Sequence, residues 1–176
     1  GVRGLRGLKA APDVPTLRFE IATPPTDDPS IALSPDGTQL AFVANRDRVP
    51  MLWVRSLDAV ENRSLSGTEG ATFPFWSPDS RSIGFFAGDK LKRIDVAGGT
   101  PLVVVDAPNA RGGAWNKDGV ILFASAQGLF RVAAAGGEPV LVMVKDDDKV
   151  VNRRRPTFLP DGRHFTYVAQ PGNIVY

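Results

Sequence analysis

The chain has 176 residues, of which 43% are hydrophobic, and a formal net charge of +2. This length suits one domain with its own core, and so small a charge gives no indication of a nucleic-acid or anionic-membrane partner. Cysteine is absent, which excludes a disulfide framework and is neutral about compartment. No apolar run approaches the ~18 residues of a membrane-spanning helix. The 18 glycines and 15 prolines favour a fold with many tight turns.

The first 22 residues predict a linker followed by one strand. Residues 1–15 carry Gly, Arg, Lys and Pro without an apolar period, which is typical of a linker. Residues 16–22, TLRFEIA, alternate Leu17, Phe19 and Ile21 with polar neighbours, as a half-buried strand does. We expect this strand to pair with the last of the repeats described next, because that pairing would cover an exposed sheet edge.

From about residue 28 onward the chain repeats one unit four times. The clearest copy, residues 71–86, reads ATFPFWSPDSRSIGFF: an aromatic strand, the turn Ser77-Pro78-Asp79-Ser80, and an apolar strand. We call the four residues of this turn the box. Its aspartate recurs as Asp36, Asp79, Asp118 and Asp161, the box aspartates, which lie 43, 39 and 43 residues apart. A period of roughly 40 residues with four short strands is the signature of propeller blades. The sequence therefore predicts an all-β fold, a β-propeller of four-stranded antiparallel blades with about four repeats.

We predict a propeller domain over residues 16–176, with 16–22 as its closing strand. Blade one is expected within residues 28–67, blade two within 70–106, blade three within 110–145, and an incomplete blade four within 153–176. Gly98-Gly99 and Gly136-Gly137 are expected at hairpins that need positive φ. The predicted strands are 29–33, 39–44, 51–57, 62–65, 72–76, 82–87, 90–96, 101–105, 111–115, 120–124, 128–133, 139–144, 155–158, 164–169 and 173–176.

The repeated W-S-P-D-G/S box is similar to that of a known family. Together with an apolar-x-aromatic strand and a third strand of the type L-x-R-I-D-x-x-G-G at residues 91–99, it resembles the TolB-type, WD-like β-propeller repeat over about residues 28–176. The phrases at 67–88 and 107–115 resemble the propellers of bacterial eukaryotic-type serine/threonine kinases. The resemblance implies six or more blades, whereas this sequence supplies under four, so we expect a piece of a longer protein. The alternative is an unusually small propeller, a four-bladed ring that the strand at 16–22 closes. Blade three departs from the pattern, with Asn116-Lys117 in place of Ser-Pro.

The four box aspartates, Asp36, Asp79, Asp118 and Asp161, are predicted to cap their turns. Aspartate in a turn accepts hydrogen bonds from nearby backbone N–H groups. A metal or acid/base role is the alternative, but one aspartate per blade is separated from the others by the ring, whereas paired catalytic carboxylates lie within about 10 Å. We predict neither a metal site nor a cofactor.

The candidate ligand site is where the first strands of the blades enter the propeller. The first strand of each blade lines the axis, so these entry residues should converge, with arginine from two blades beside an aromatic ring. Such a mouth would bind phosphate or carboxylate; the alternative is a wet, charge-lined channel with no ligand. Ser30 and Ile31 belong to the same entry region, and the predicted ligand-binding residues are Thr72, Phe73, Arg111, Arg154 and Arg155.

The single histidine and an acidic run are interpreted as structural features and not as sites. His164 is the only histidine, and no G-x-S-x-G elbow accompanies it, so we predict no catalytic triad. It aligns with polar positions of the second strand that face away from the core. The run Asp146-Asp147-Asp148 lacks the spaced pattern of a calcium loop and predicts a solvated connection, although calcium binding is the alternative.

The tryptophans are predicted to pack. Trp76 and Trp115 stand directly before the turn box and should face the neighbouring blade. Trp53 lies on a third strand and has a second interpretation, as an exposed anchor for a partner.

These features favour a non-enzymatic binding or scaffold module. The kinase resemblance implies the sensor part of a larger bacterial protein such as a receptor kinase, on the extracytoplasmic or periplasmic side. The alternatives are an accessory propeller of a prolyl-oligopeptidase or tricorn-type hydrolase, and a TolB-like periplasmic adaptor. We expect a protein or peptide partner and self-association through open propeller edges, with no nucleic acid and no membrane contact by this segment.

Overall fold

A computed structural model describes residues 22–26, 30–144 and 151–171. Within these residues the regular elements are all β-strands, which confirms the predicted all-β class. No helix in this part of the chain is long and apolar enough to cross a membrane. The linker at 1–15, residues 16–21 of the closing strand, the acidic run 146–148 and the predicted strand 173–176 lie outside the described residues.

The strands form consecutive antiparallel sheets that meander in chain order. The first three sheets each pair four consecutive strands in chain order, and we call them blades one, two and three. The fourth sheet, blade four, pairs the last two strands. This arrangement confirms the predicted propeller of about four blades. The strands are Ile31–Leu33, Gln39–Arg46, Val49–Ser56, Arg63–Ser64, Thr72–Trp76, Ser82–Ala87, Lys90–Asp95, Leu102–Asp106, Gly113–Trp115, Val120–Ser125, Gly128–Ala133, Val140–Val144, Val151–Phe158 and Phe165–Pro171, numbered β1 to β14 in that order.

The blades pack face to face because each strand alternates its side chains between two sheet faces. One face of blade two, with Ile83 and Phe85, is buried against Val43 and Leu52 of blade one. Its other face, with Phe86, is buried against blade three. Blade three in turn packs on blade four. Three of the four apolar clusters are therefore interfaces between successive blades, and the fourth lies within blade one. The residues of the three interfaces include Ala41, Val43, Leu52, Val54, Trp76, Ile83, Phe85 and Ile94; Phe75, Phe86, Leu91, Ile121, Phe123 and Val132; and Leu122, Leu129, Phe158, Phe165 and Tyr167, and the cluster within blade one is Leu40, Phe42 and Ala44.

The tryptophans serve this packing. Trp76 donates its indole N–H to the carbonyl of Ala32 in blade one at 2.9 Å, and Trp115 packs partly buried against the interface of blades two and three; both predictions of interblade packing are confirmed. Trp53 is half-buried and packs within its own blade, and its second interpretation, as an exposed anchor, stays a prediction. Its ring stacks on Phe42 with centroids 6.4 Å apart, and its N–H donates to the Ala44 carbonyl at 3.0 Å, so it is held within blade one.

The Phe75 ring lies over two glycines, one in each of two neighbouring blades. A β-carbon on Gly113 of β9 would approach Phe75 Cε1 to 2.7 Å, and one on Gly84 of β6 would overlap the same ring. Neither glycine has a positive φ, so it is the close approach of the ring that requires glycine here. The interface of blades two and three thus depends on a flat ring filling the space that two missing side chains leave.

We predict that Gly84→Ala lowers the free energy of unfolding by about 1–3 kcal/mol, the usual cost of overpacking. Urea unfolding of the wild-type and variant chains measures it. In the double variant with Phe75→Leu the smaller side chain makes room for the methyl group, so its cost should be less than the sum of the two single costs. Simple additivity of the two substitutions would show that the ring and Gly84 do not compete for space.

Candidate functional site at the propeller axis

Three of the four box aspartates make the side-chain-to-backbone hydrogen bonds that turn capping requires. Asp36 Oδ1 accepts from the Thr38 N–H at 3.0 Å, Asp79 Oδ1 from the Arg81 N–H at 3.1 Å, and Asp161 Oδ1 from the Arg163 N–H at 2.9 Å. The hydroxyls of Ser34 and Ser77 also donate to the first two aspartates, and these hydroxyl bonds are the main reason why the pKa values of Asp36 and Asp79 lie below the usual range.

Blade three caps its turn with a different residue. Asn116 Oδ1 accepts from the N–H groups of Asp118 and Val120 at 3.0 and 2.9 Å, and Asn116 Nδ2 donates to the Gly162 carbonyl of blade four at 2.9 Å. Asn116 stands where Ser34 and Ser77 stand in blades one and two, two residues before the aspartate, and the Asp118 carboxylate lies 3.2 Å from Lys117 Nζ. The physical reason is that a buried amide both accepts and donates, so Asn116 caps the turn and joins the blades at once.

His164 belongs to the turn of blade four. Its Nδ1 lies 2.5 Å from Asp161 Oδ2, and its side chain is 77% exposed. The hydrogen bond with Asp161, followed by the charge of that carboxylate, raises the pKa of His164 above 6.5. The same bond, with the backbone N–H groups of His164 and Arg163, lowers the pKa of Asp161 to about 2. The arrangement is that of an exposed ion pair on the outside of a turn.

A strained backbone position recurs at the start of the first strands. Six residues before the box aspartates stand Ser30, Phe73, Gly112 and Arg155, and the last three have φ of 49°, 105° and 48°. The strand register slips at this point in β5, between Thr72 and Phe75, and in β13, between Arg154 and Thr157. Glycine accepts a positive φ freely, whereas phenylalanine and arginine do so only at a cost.

This bulge also explains two differences from the predicted strands. The Arg111 N–H donates to the Ala124 carbonyl at 2.9 Å while the Ala124 N–H donates to the Gly112 carbonyl at 3.0 Å. Two residues of blade three thus face one partner, and regular pairing begins only at Gly113 rather than at 111. In blade four the strand continues through the irregularity and starts at Val151 rather than at 155.

The recurring position opens onto a cavity of about 330 Å³ at the propeller axis, which we call the axial cavity. All four blades contribute to its lining, each with the residue six before its box aspartate and the residue after it. An aromatic ring, an exposed guanidinium and two prolines without N–H groups surround it. The lining residues are Ser30, Ile31, Phe73, Pro74, Gly112, Gly113, Arg155, Pro156 and Thr157.

The predicted ligand-binding residues divide into three groups. Phe73 and Arg155 line the axial cavity. Thr72 lines a smaller crevice of about 80 Å³ together with residues of blade one such as Val43 and Asn45. Arg111 and Arg154 stand one residue before the bulge and are not among the residues that line the axial cavity. The Arg111 carbonyl accepts the Arg155 N–H at 2.8 Å, a backbone hydrogen bond that joins blades three and four.

Five lining residues were missed by sequence reasoning: Pro74, Gly112, Gly113, Pro156 and Thr157. The repeat register contained the signal for the first four, because Pro74, Gly113 and Pro156 all stand five residues before a box aspartate and Gly112 stands six before. Counting back from Asp79, Asp118 and Asp161 would have found them.

The axial cavity is electropositive and partly apolar. Arg155 is exposed at its wall, Ile31 is 64% exposed, and none of the nine lining residues is acidic. Nearby, the guanidinium of Arg153 lies 5.7 Å from the centre of the Tyr167 ring, a cation–π contact that holds it in the core of blade four. In the described ranges no three His, Cys, Asp or Glu residues are grouped to hold a metal ion. The chemistry that this cavity suits is an anion beside an apolar group.

No protein-family model matches the chain, and no curated protein matches it. Solved structures do. TolB from Acinetobacter baumannii superposes with a TM-score of 0.66 at 19% identity, over 81% of this chain and 38% of TolB. A chain of a nidogen/laminin complex gives 0.67 at 13% identity, over 81% and 57%. An oligogalacturonate lyase solved with manganese gives 0.61 at 14% identity, over 81% and 46%.

These similarities show a TolB-like β-propeller fold. The identities are too low to carry a function across, and the three proteins differ in what they do. The chain also spans less than two thirds of each of these structures.

We predict that the Asp161–His164 pair makes a pH-dependent contribution to the stability of the folded chain. The raised pKa of His164 means that its contribution to stability is complete below pH 6.5 and is lost as the pH rises through the folded-state value. The contribution of Asp161 is complete above pH 3.8 and is lost as the pH falls towards about 2. His164→Gln should therefore lower the Tm of the chain most between about pH 4 and 6.5 and progressively less at alkaline pH.

Thermal unfolding of the wild-type chain and of His164→Gln at several pH values measures this difference. An NMR titration of the His164 ring gives its pKa directly. A midpoint at or below the ordinary histidine value would contradict the ion pair.

Proposed function

We propose that the chain is a non-enzymatic binding propeller that holds an extended segment of a protein partner in the mouth of the axial cavity. The observation that carries this proposal is the convergence of all four blades on one cavity of about 330 Å³ whose lining residues differ from blade to blade. A repeat that needed this position only for folding would be expected to repeat one residue there, as blades one, two and four do with their capping aspartates.

The cavity suits a peptide rather than a compact small molecule. Its wall combines the exposed side chains of Ile31, Arg155 and Thr157 with the half-buried ring of Phe73. Ligand sites in proteins commonly combine an apolar surface with a few polar groups that fix orientation. The nidogen/laminin structure shows that a propeller of this shape occurs in a protein complex.

The wider setting remains part of the proposal. On the resemblance of its repeats to kinase-associated propellers, we place the chain on the extracytoplasmic side of a bacterial membrane, as the sensor part of a receptor serine/threonine kinase. A TolB-like periplasmic adaptor is the alternative with the same chemistry at the cavity. A kinase domain and a membrane span encoded upstream in the parent gene support the sensor, and a G-x-S-x-G domain downstream supports the hydrolase accessory instead.

A library of random linear peptides displayed on phage tests the proposal. The affinities of peptides selected on the wild-type chain are then measured for two variants. Thr157→Trp places an indole at the cavity mouth, and Thr100→Trp is the matched control, at an exposed threonine in the loop after Gly99. We expect Thr157→Trp to weaken binding at least about tenfold, equivalent to about 1.4 kcal/mol. Thr100→Trp should leave it unchanged.

Two results would contradict the proposal. One is a set of selected peptides that bind Thr157→Trp as well as the wild-type chain, which would put the binding surface elsewhere. The other is phosphoryl transfer or hydrolysis by the purified chain that disappears in His164→Ala, because it would make the chain an enzyme.

A further inference from the structure

We infer that Arg155 and Phe73 are a recognition pair for a carboxylate with an apolar neighbour, carried by the bound peptide segment. This inference rests on the proposed function and names the chemistry that the axial cavity selects. Its starting point is a conflict between two local requirements at the bulge, the backbone conformation and the side chain that is present there.

The backbone at the bulge favours glycine. Blade three satisfies it with Gly112 at φ 105°, and that glycine also lies close to blade four, because a β-carbon on it would meet Arg155 Cα at 3.1 Å. Blades two and four hold the same left-handed region with Phe73 and Arg155, each followed by a proline. The left-handed region is unfavourable for residues with a β-carbon.

Strained non-glycine residues of this kind persist where the surrounding structure holds them, and they cluster at functional sites. Here the strain occurs twice, at equivalent places of two blades, and both side chains line one cavity. The residue before a proline is also restricted towards extended conformations, which adds to the cost. The two side chains therefore serve something other than the stability of the turn.

The side chains indicate the ligand. Arg155 presents a guanidinium whose planar fork matches a carboxylate, and no acidic residue among those that line the cavity competes for it. Phe73 and the 64% exposed Ile31 supply apolar surface in the same cavity. A carboxylate flanked by an apolar side chain fits both, and a peptide can provide it either from an Asp or Glu side chain or from its C-terminus.

Arg155→Gly is the informative variant, because glycine relieves the strained φ and keeps the N–H that donates to the Arg111 carbonyl. Arg48 is the matched control. It is also exposed and also has a positive φ, 67°, but it lies in the turn between β2 and β3, outside the cavity lining. Both variants should keep or raise the Tm, by up to about 4 °C, whereas only Arg155→Gly should lose the carboxylate.

Four short peptides serve as probes in NMR titrations of the ¹⁵N-labelled chain. Acetyl-Gly-Leu-Asp-Leu-Gly-amide and its Asn counterpart test a side-chain carboxylate. Acetyl-Gly-Leu-Gly-Leu with a free C-terminus and its amide test a terminal one. We expect at least one of the two acidic peptides to bind about tenfold more tightly than its neutral counterpart, both to the wild-type chain and to Arg48→Gly. In Arg155→Gly the acidic peptide and its neutral counterpart should bind with equal affinity.

Which acid binds identifies the source of the carboxylate. The inference is overturned if the acidic peptides and their neutral counterparts bind alike, or if none of them binds. A galacturonate trisaccharide is a further probe, because an oligogalacturonate lyase has a similar fold, and its binding more tightly than either acidic peptide would also overturn the inference. So would a lowered Tm of Arg155→Gly beside an unchanged Tm of Arg48→Gly. Phage-selected peptides that lack acidic groups but are blocked by Thr157→Trp would overturn this inference and leave the proposed function standing.

Discussion

The structure depends on the fact that a blade has two apolar faces and only its neighbours to cover them. Phe85 and Ile83 are fully buried on one face of blade two, and Phe86 is 3% exposed on the other. Burying each such side chain contributes roughly 1.5–3 kcal/mol, and for these residues the burial needs the neighbouring blades. Stability therefore comes from stacking, as in other repeat proteins.

Stacking the blades has a geometric consequence at the axis. Flat faces that pack around a common line bring the first strands together, so there is less room there than at the outer strands. The structure relieves this crowding with a bulge at Phe73, Gly112 and Arg155 and with a hydrogen bond between the backbones of Arg155 and Arg111. The axial cavity is what remains inside. Its lining is free to vary because the interfaces between the blades, and not this lining, stabilise the fold.

The repeat made most of the fold predictable from the sequence. Strands β5, β6 and β11 begin and end where their patterns predict, because each lies between strong turn signals. The positive φ values of Gly98, Gly99, Gly136 and Gly137 agree with the hairpins predicted there. The outer strand of blade one is shorter than predicted, only Arg63–Ser64, since pairing at a sheet edge leaves little trace in side-chain alternation.

The site was less predictable, for a reason that concerns the backbone. The sequence directed attention to Arg111 and Arg154, but a bulge shifts the phase of a strand by one residue, and the cavity is lined from the next position onward. The residue types Arg154-Arg155-Pro156 do not predict the left-handed φ of Arg155. The exchange of Asp118 for Asn116 as the turn cap was similarly hidden, because both residue types suit turns.

Because the chain has no cysteine, one spectroscopic measurement tests the convergence of the blades directly. Spin labels are attached to Ile31→Cys and Thr157→Cys, exposed positions of blades one and four that line the same cavity. The account predicts strong dipolar broadening between them, and none between Ile31→Cys and Leu102→Cys on the outer strand of blade two. An unbroadened spectrum for the first pair would mean that the first strands do not meet at one axis, and the cavity could not be a binding site.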